Sequence, residues 1–330
     1  AVIETSSEGI LQYRHIGLNY DIAVFTNLGT EHSERHGGFD QLRADKGKLF
    51  KALKKKKYID GKLIPKILIA NGDDKNAYYF LNFTADQKWI CGLSDQISGQ
   101  LTVKAGDIQL GNERTVFEAG SVFVLNMIGK FNIYNALIAI AVGRSQQIED
   151  KKIKIGLESV KKIEGRMEFI DQGQSFKVIV DYAHEPLSYT ELFTTLRDLF
   201  ITSSRLIAVI GSDGGGRDQS KREKMGEIAG KLADVVIITD VNCFDEDPSK
   251  IAEMLAVGVR QSGKKENMDL FIEVDRKKAI ELAFNQAEKN DIVVITAKGT
   301  EPCMVVAGGK KIPWDDREVA REVLRNAHIF

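Results

Sequence analysis

The second half of the chain alternates short, continuously apolar runs with amphipathic stretches, and that alternation leaves few folds open. The runs at 178–181, 206–211, 235–240, 270–274 and 291–296 are rich in valine and isoleucine. They are too short for helices and read as strands. Between them, Met225, Ile228, Ala229 and Leu232 fall at i, i+3, i+4 and i+7, one apolar helix face. Strands that are apolar on both faces and separated by helices belong to a parallel, doubly wound α/β sheet. Ligands of such sheets gather at the carboxyl ends of the strands. Asp181, Gly211, Asp240 and Lys298 stand at or just past those ends.

The first half is mixed. Residues 2–4, 21–25 and 66–70 predict strands, and 39–54 and 131–147 predict helices. From 89 to 127 the pattern turns to short alternating strands with Gly and Asp turns, as in "LTVKAGDIQL". Residues 151–162 predict a charged helix, and "IEGR" reads as a hinge. The expected domains are therefore 1–164 and 165–330, each large enough for its own core. Hydrophobic content of 43% with 28% charged residues is that of an ordinary globular protein, and a net charge of −1 draws neither nucleic acid nor membrane. No apolar run reaches spanning length and none has the pattern of a signal peptide. Cys91, Cys243 and Cys303 lie far apart without a CxxC, which argues against a zinc site or a disulfide framework and fits a reducing cytoplasm. The chain opens on Ala1 directly in a strand-like run, which predicts the remainder of a longer protein cut inside a domain.

Several residues invite chemistry. Glu4, His32 and Lys46 stand at or after the ends of short apolar runs. A carboxylate and an imidazole suit Mg²⁺ or Mn²⁺ beside phosphates. The glycine cluster at 211–216 follows a strand and precedes a helix, so its N–H groups are able to face an anion. Its spacing alone favours a plain strand-to-helix turn. Asp181 by itself reads as a cap. Asn132 and Asn135 are one helical turn apart and share a face. Lys46 alone reads as a solvated helix lysine. Asp315 and Asp316 sit at a helix start, where carboxylates satisfy free N–H groups.

Taken together, "ETSSEG", "TNLGTEHSERHGG", "RADKGKLF", "MIGKFNIYNA", "IEGRMEFI", "VIVDYAHEP", "GSDGGGRDQSKR", "AKGTEPC" and "IPWDDREVARE" resemble the Mur ligase family over essentially the whole chain. The resemblance is strongest to members that add the third residue to the UDP-MurNAc peptide. It implies part of the central ATPase domain followed by a C-terminal Rossmann-like, doubly wound domain. It implies an ATP-dependent amide ligase that acts on UDP-MurNAc-L-Ala-D-Glu through an acyl phosphate, with ATP as co-substrate and two Mg²⁺ ions. Glu4 and His32 would then be metal ligands at the catalytic centre, and Lys46 would carry a carbamate. Ser6 and Arg14 would contact the UDP-MurNAc-dipeptide. Asn132 would reach the adenine, Arg166 the ATP phosphates and Asp181 the ribose. Arg217, Asn242, Lys298 and Glu301 would hold the incoming amino acid, Arg217 with a planar fork suited to a carboxylate and Glu301 pairing with the amine. A cytoplasmic monomer without nucleic-acid or membrane partners is expected. A folylpolyglutamate- or cyanophycin-synthetase-like ligase, or a non-catalytic relic, remains the alternative.

Two departures matter. The GK pairs at Gly47, Gly61, Gly129, Gly230, Gly263 and Gly309 all lack the G-x-x-x-x-G-K-[ST] frame. Members that add diaminopimelate carry D-N-P-R where this chain reads Val241-Asn242-Cys243-Phe244. Phe244 cannot pair with a distal carboxylate, and leaving one buried and unpaired costs on the order of 3 kcal/mol. Without phosphate-loop N–H groups the triphosphate loses its main cradle. The 330-residue chain should therefore bind Mg²⁺–ATP weakly by calorimetry, and a micromolar Kd would contradict this.

Overall fold

The computed structural model describes residues 1–29, 33–99, 101–200 and 204–326. The chain forms two compact units, Ala1–Lys161 and Lys162–Phe330.

The first unit is built on four parallel strands in the order Ile22–Phe25, Ile67–Asn71, Gln87–Gly92 and Leu101–Lys104. The Ile67–Asn71 strand shows why they pair so deeply. Ile67 and Ile69 pack with Phe117, Phe123 and Leu137, whereas Leu68 and Ala70 pack with Phe25, Phe50 and Phe80 on the opposite face. A strand apolar on both faces needs cover on both. The Lys130–Ser145 helix covers one face, and the helices Phe39–Lys51 and Ala77–Leu81 cover the other. A three-stranded antiparallel sheet, Gly106–Leu110, Thr115–Glu118 and Val122–Leu125, adds Phe117 stacked on Phe123 at 5.4 Å.

Two expectations need correction here. Residues 2–4 are in no strand: Val2 is fully exposed and Ile3 mostly so, and no described strand pairs with them. The charged helix runs Asp150–Ser159 and stops short of 162 because Val160 is already extended. Lys46 lies within the Phe39–Lys51 helix, inside the helix expected over 39–54, and the buried face of that helix is Leu42, Asp45, Gly47 and Phe50.

The second unit carries a six-stranded sheet. Glu168–Ile170 runs antiparallel to Lys177–Val180, followed by Ile292–Ile295, Leu206–Ile210, Val235–Ile238 and Leu270–Ile272, all parallel. The last parallel strand in chain order, Ile292–Ile295, lies between the first two, so the strand order reverses there, and such a switch point opens a crevice at the carboxyl ends. The three central strands are buried at every residue. In the Ser220–Leu232 helix, Met225 and Ala229 are buried as the spacing predicts, but Gly226 is buried with them. A Cβ on Gly226 would lie 2.0 Å from the Leu255 carbonyl oxygen, so glycine lets the Pro248–Gln261 helix lie backbone to backbone against it.

Asp316 does more than cap a helix. It forms a forked pair with Arg276, Nε to Oδ1 at 2.8 Å and Nη2 to Oδ2 at 2.7 Å, and neither side chain is exposed. Arg276 also donates to the carbonyls of Asp240 and Thr296, and Trp314 Nε1 donates to Asp316. Removing one member strands a buried charge, so Asp316→Ala should lose about 3–5 kcal/mol of unfolding free energy in urea. Replacing both residues with apolar side chains should recover much of it, and a loss below about 1 kcal/mol in the single variant would show the pair to be dispensable.

Candidate active site

Parallel strands deliver their following residues to one edge, and in the second unit that edge carries a buried polar cluster. Asn242 is its centre. Its Nδ2 donates to Asp213 Oδ1 at 2.8 Å and to Glu301 Oε2 at 3.1 Å. Its Oδ1 accepts from Lys298 Nζ at 3.1 Å and from the Val305 N–H at 2.9 Å. That uses the amide's full hydrogen-bonding capacity. Lys298 is wholly buried and spends its remaining donors on Glu301 Oε2 at 2.9 Å and the Cys303 carbonyl at 2.8 Å. Glu301 is partly open, and its other oxygen accepts from the Tyr182 hydroxyl at 3.3 Å. Burial opposes ionisation of Glu301, but hydrogen bonds from Lys298, Asn242 and Tyr182 outweigh it and hold its carboxyl below the ordinary range.

Arg217 reaches the same cluster. It pairs with Asp213 at 2.6 Å, and its guanidinium carbon lies 5.7 Å from the centroid of the Phe244 ring. Phe244 has a left-handed backbone (φ +52°). Gly215 gives way to it, since a Cβ there would fall 2.7 Å from the ring. The glycine turn does present N–H groups to an anion, but that anion is internal: Gly216 N–H donates to Glu246 Oε1 at 2.9 Å.

Beside the cluster, Arg166 lies with its guanidinium carbon 4.5 Å from the centroid of the Tyr182 ring. Both line a cavity of about 290 Å³ together with Glu164, Gly165, Thr300, Glu301 and Pro302. Asp181 is buried, and its oxygens accept the N–H groups of Met167 and Ala183, each at 2.7 Å. It thereby fixes the turn that carries Arg166. Burial pushes its carboxyl up.

The first unit places its expected residues as follows. Ser6 caps the short Ser7–Leu11 helix, accepting from the Gly9 N–H at 3.1 Å. Glu4 and Arg14 are exposed. Lys46 is half-buried. Asn132 is buried, donating to the Ile128 carbonyl at 2.8 Å and accepting from Asn135 at 3.2 Å, so the two share a face as their spacing requires. His32 lies outside the described residues. Among the described residues there is no group of three His, Cys, Asp or Glu side chains able to hold a metal. An exposed carboxylate such as Glu4 nevertheless suits Mg²⁺, which keeps most of its waters and takes one or two carboxylates beside substrate phosphates.

Two family models match the chain. The Mur ligase middle domain matches residues 1–143, and the Mur ligase glutamate ligase domain matches residues 165–299. The chain belongs to the Mur ligase family. One curated Mur ligase is the UDP-N-acetylmuramoyl-L-alanyl-D-glutamate–2,6-diaminopimelate ligase of Geobacillus kaustophilus (strain HTA426), 36% identical over 328 residues. Another is the UDP-N-acetylmuramyl-tripeptide synthetase of Roseiflexus sp. (strain RS-1), 35% identical over 338 residues. A solved UDP-N-acetylmuramoyl-L-alanyl-D-glutamate–2,6-diaminopimelate ligase superposes with a TM-score of 0.55 at 26% identity. Each alignment takes in 98% of this chain, which spans 64% of the length of each of these Mur ligases.

Within this chain, Arg217, Asn242, Lys298 and Glu301 come together as one cluster, and Arg166 and Asp181 adjoin it. Sequence reading missed Asp213 and Tyr182. Asp213 is concealed in a glycine-rich turn, and Tyr182 is flanked by the more conspicuous Asp181 and His184. No helix among the described residues is long and apolar enough to cross a membrane.

A carboxyl with a depressed pKa stabilises the fold above its unfolded value of 4.5, and that contribution is lost as pH falls through the folded value. Urea unfolding should therefore show wild type more stable than Glu301→Gln at pH 7, with the gap narrowing as the pH is lowered through that depressed value. A gap independent of pH would mean that Glu301 is not held as the anion.

Proposed function

We propose that these residues form the ATP- and amino-acid-handling part of an ATP-dependent ligase that adds the third amino acid to UDP-MurNAc-L-Ala-D-Glu in peptidoglycan synthesis. The observation that carries this reading is the cluster of Glu301, Lys298, Asn242, Asp213 and Arg217 at the strand ends of a chain alignable along 98% of its length with such ligases. In the reaction, the terminal D-Glu carboxylate attacks the γ-phosphorus of ATP, giving an acyl phosphate and ADP. The amine of the incoming amino acid then attacks the acyl carbon, phosphate leaves, and the amine gives up its proton.

Each side chain has a task that fits its surroundings. Glu301, kept anionic, takes the ammonium group of the amino acid, and Arg217 takes its α-carboxylate with a forked guanidinium. Asn242 and Lys298 are fully committed within the protein, so they orient Glu301 rather than touch the ligand. Arg166 meets the ATP phosphates, where positioned charge supplies most of the catalysis in phosphoryl transfer. Asp181 takes the ribose and Asn132 the adenine. Ser6 and Arg14 meet the UDP-MurNAc-dipeptide. Mg²⁺ bound by Glu4 and His32, beside a carbamate on Lys46, would neutralise phosphate charge. A cytoplasmic monomer is the state proposed.

Specificity follows from Phe244. Arg217 lies against its ring, and nearby Asp213 and Glu246 are acidic, so the far end of the substrate meets no free cation among these residues. The ligase should prefer an amino acid without a distal carboxylate, such as lysine, ornithine or a neutral residue. Incubating the full-length gene product with Mg²⁺–ATP, UDP-MurNAc-L-Ala-D-Glu and each amino acid in turn tests both statements. No turnover with any amino acid would defeat the ligase reading. The highest kcat/KM with meso-diaminopimelate would defeat the specificity assigned to Phe244.

A further inference from the structure

Tyr182 touches both ends of the proposed chemistry. The guanidinium of Arg166 lies over its ring at 4.5 Å, and its hydroxyl reaches Glu301 Oε1 at 3.3 Å. Burial, and then the charge of Glu301, push the phenol up to about 12. It therefore keeps its proton at neutral pH and donates it in the hydrogen bond. The other Glu301 oxygen is already occupied by Lys298 and Asn242. The tyrosine hydroxyl thus sets the direction of the oxygen that remains for a ligand.

The surroundings leave the ring little freedom. Gly299 is in the left-handed region (φ +52°), and a Cβ there would fall 2.9 Å from Tyr182 Cβ. Gly165 is also left-handed (φ +62°), and its Cβ would fall 2.7 Å from the Gly299 carbonyl carbon and the Thr300 nitrogen. Two glycines therefore let the Arg166 turn and the 298–301 loop close around the ring. From behind, His184 packs edge-on at 4.7 Å, and its Nδ1 is 2.8 Å from the Tyr182 carbonyl. Asp181, one residue earlier, ties its carboxylate to the N–H groups of Met167 and Ala183.

We propose that Tyr182 is a positioning residue that holds Arg166 and Glu301 in one fixed relation, so that the phosphate-facing cation and the amine-facing anion are set before substrates arrive. The proposal rests on the roles given to those two residues above. Its physical basis is pre-organisation. Long Arg and Glu side chains lose rotamer freedom when they engage a ligand, and a side chain that has already ordered them removes that cost. The two contacts also divide the labour. The ring face serves the ATP end through a cation–π contact, and the hydroxyl serves the amino-acid end through a charge-assisted hydrogen bond.

Steady-state kinetics of the full-length gene product separate these contacts. Tyr182→Phe keeps the ring and removes the donor, so KM for the amino acid should rise about tenfold while KM for ATP stays within about twofold of wild type. Tyr182→Leu removes both contacts and should raise both KM values. Glu301→Gln should weaken amino-acid binding by itself, and adding Tyr182→Phe to it should have much less effect than in wild type, because the hydroxyl has lost its charged partner. An active wild type in which Tyr182→Phe leaves both KM values unchanged, or raises both equally, would overturn the positioning role alone. An inactive wild type would instead refute the ligase reading and this proposal with it.

Discussion

Beneath the candidate site lies a guanidinium–carboxylate pair with no exposed atoms, Arg276 with Asp316. Arg276 binds the carbonyls of Asp240 and Thr296, which follow the Val235–Ile238 and Ile292–Ile295 strands on either side of Leu206–Ile210, and Asp316 opens the C-terminal helix Asp316–Asn326. One buried cation thus ties that helix to the strand ends from which the site residues emerge. Such a pair offers little net stability over apolar packing, because both ions have lost their water. What it does supply is registration: the fork has one geometry, and the carbonyls that it binds stand just past two strand ends.

Above that anchor the site is a largely buried polar network. Asp213, Asn242, Glu301 and Lys298 are linked so that both oxygens of Glu301 and every donor of Lys298 have partners. In low dielectric each of these bonds is strengthened, and any one left unmade is expensive. The network therefore resists reorganisation and keeps Glu301 ionised and aimed. The arginine end differs. Arg217 is nearly half exposed and bound to a single carboxylate, Asp213, at 2.6 Å. The guanidinium is therefore oriented but still accessible, as the proposed reading requires.

The glycine-rich turn shows how an apparent anion site can be filled from within. Glu246 accepts the Gly216 N–H and pairs with buried Arg222 at 3.0 Å. The backbone donors that spacing suggested for a phosphate are spent on the protein's own carboxylate. In the proposed reading, what the turn offers a ligand is the side chain that follows it, Arg217.

Local pattern alone determined a good deal. The β-branched runs between amphipathic stretches specified a parallel, helix-covered sheet in the second unit, because strands apolar on both faces have no other stable arrangement. The motif strings identified the family and brought Arg217, Asn242, Lys298 and Glu301 forward as one set. Three features were beyond local pattern. Residues 2–4 have strand-forming chemistry, but no strand among the described residues pairs with them. Asp316 reads as a cap in sequence, and its burial against Arg276, forty residues away, exists only once two helices pack. Tyr182 and Asp213 joined the site only in three dimensions, since hydrogen bonds between loops that follow different strands depend on which strands are neighbours. Sequence periodicity reports which face of an element is buried. Only the tertiary structure decides which polar groups meet at the strand ends, because strand order and loop closure are set by packing of the whole sheet.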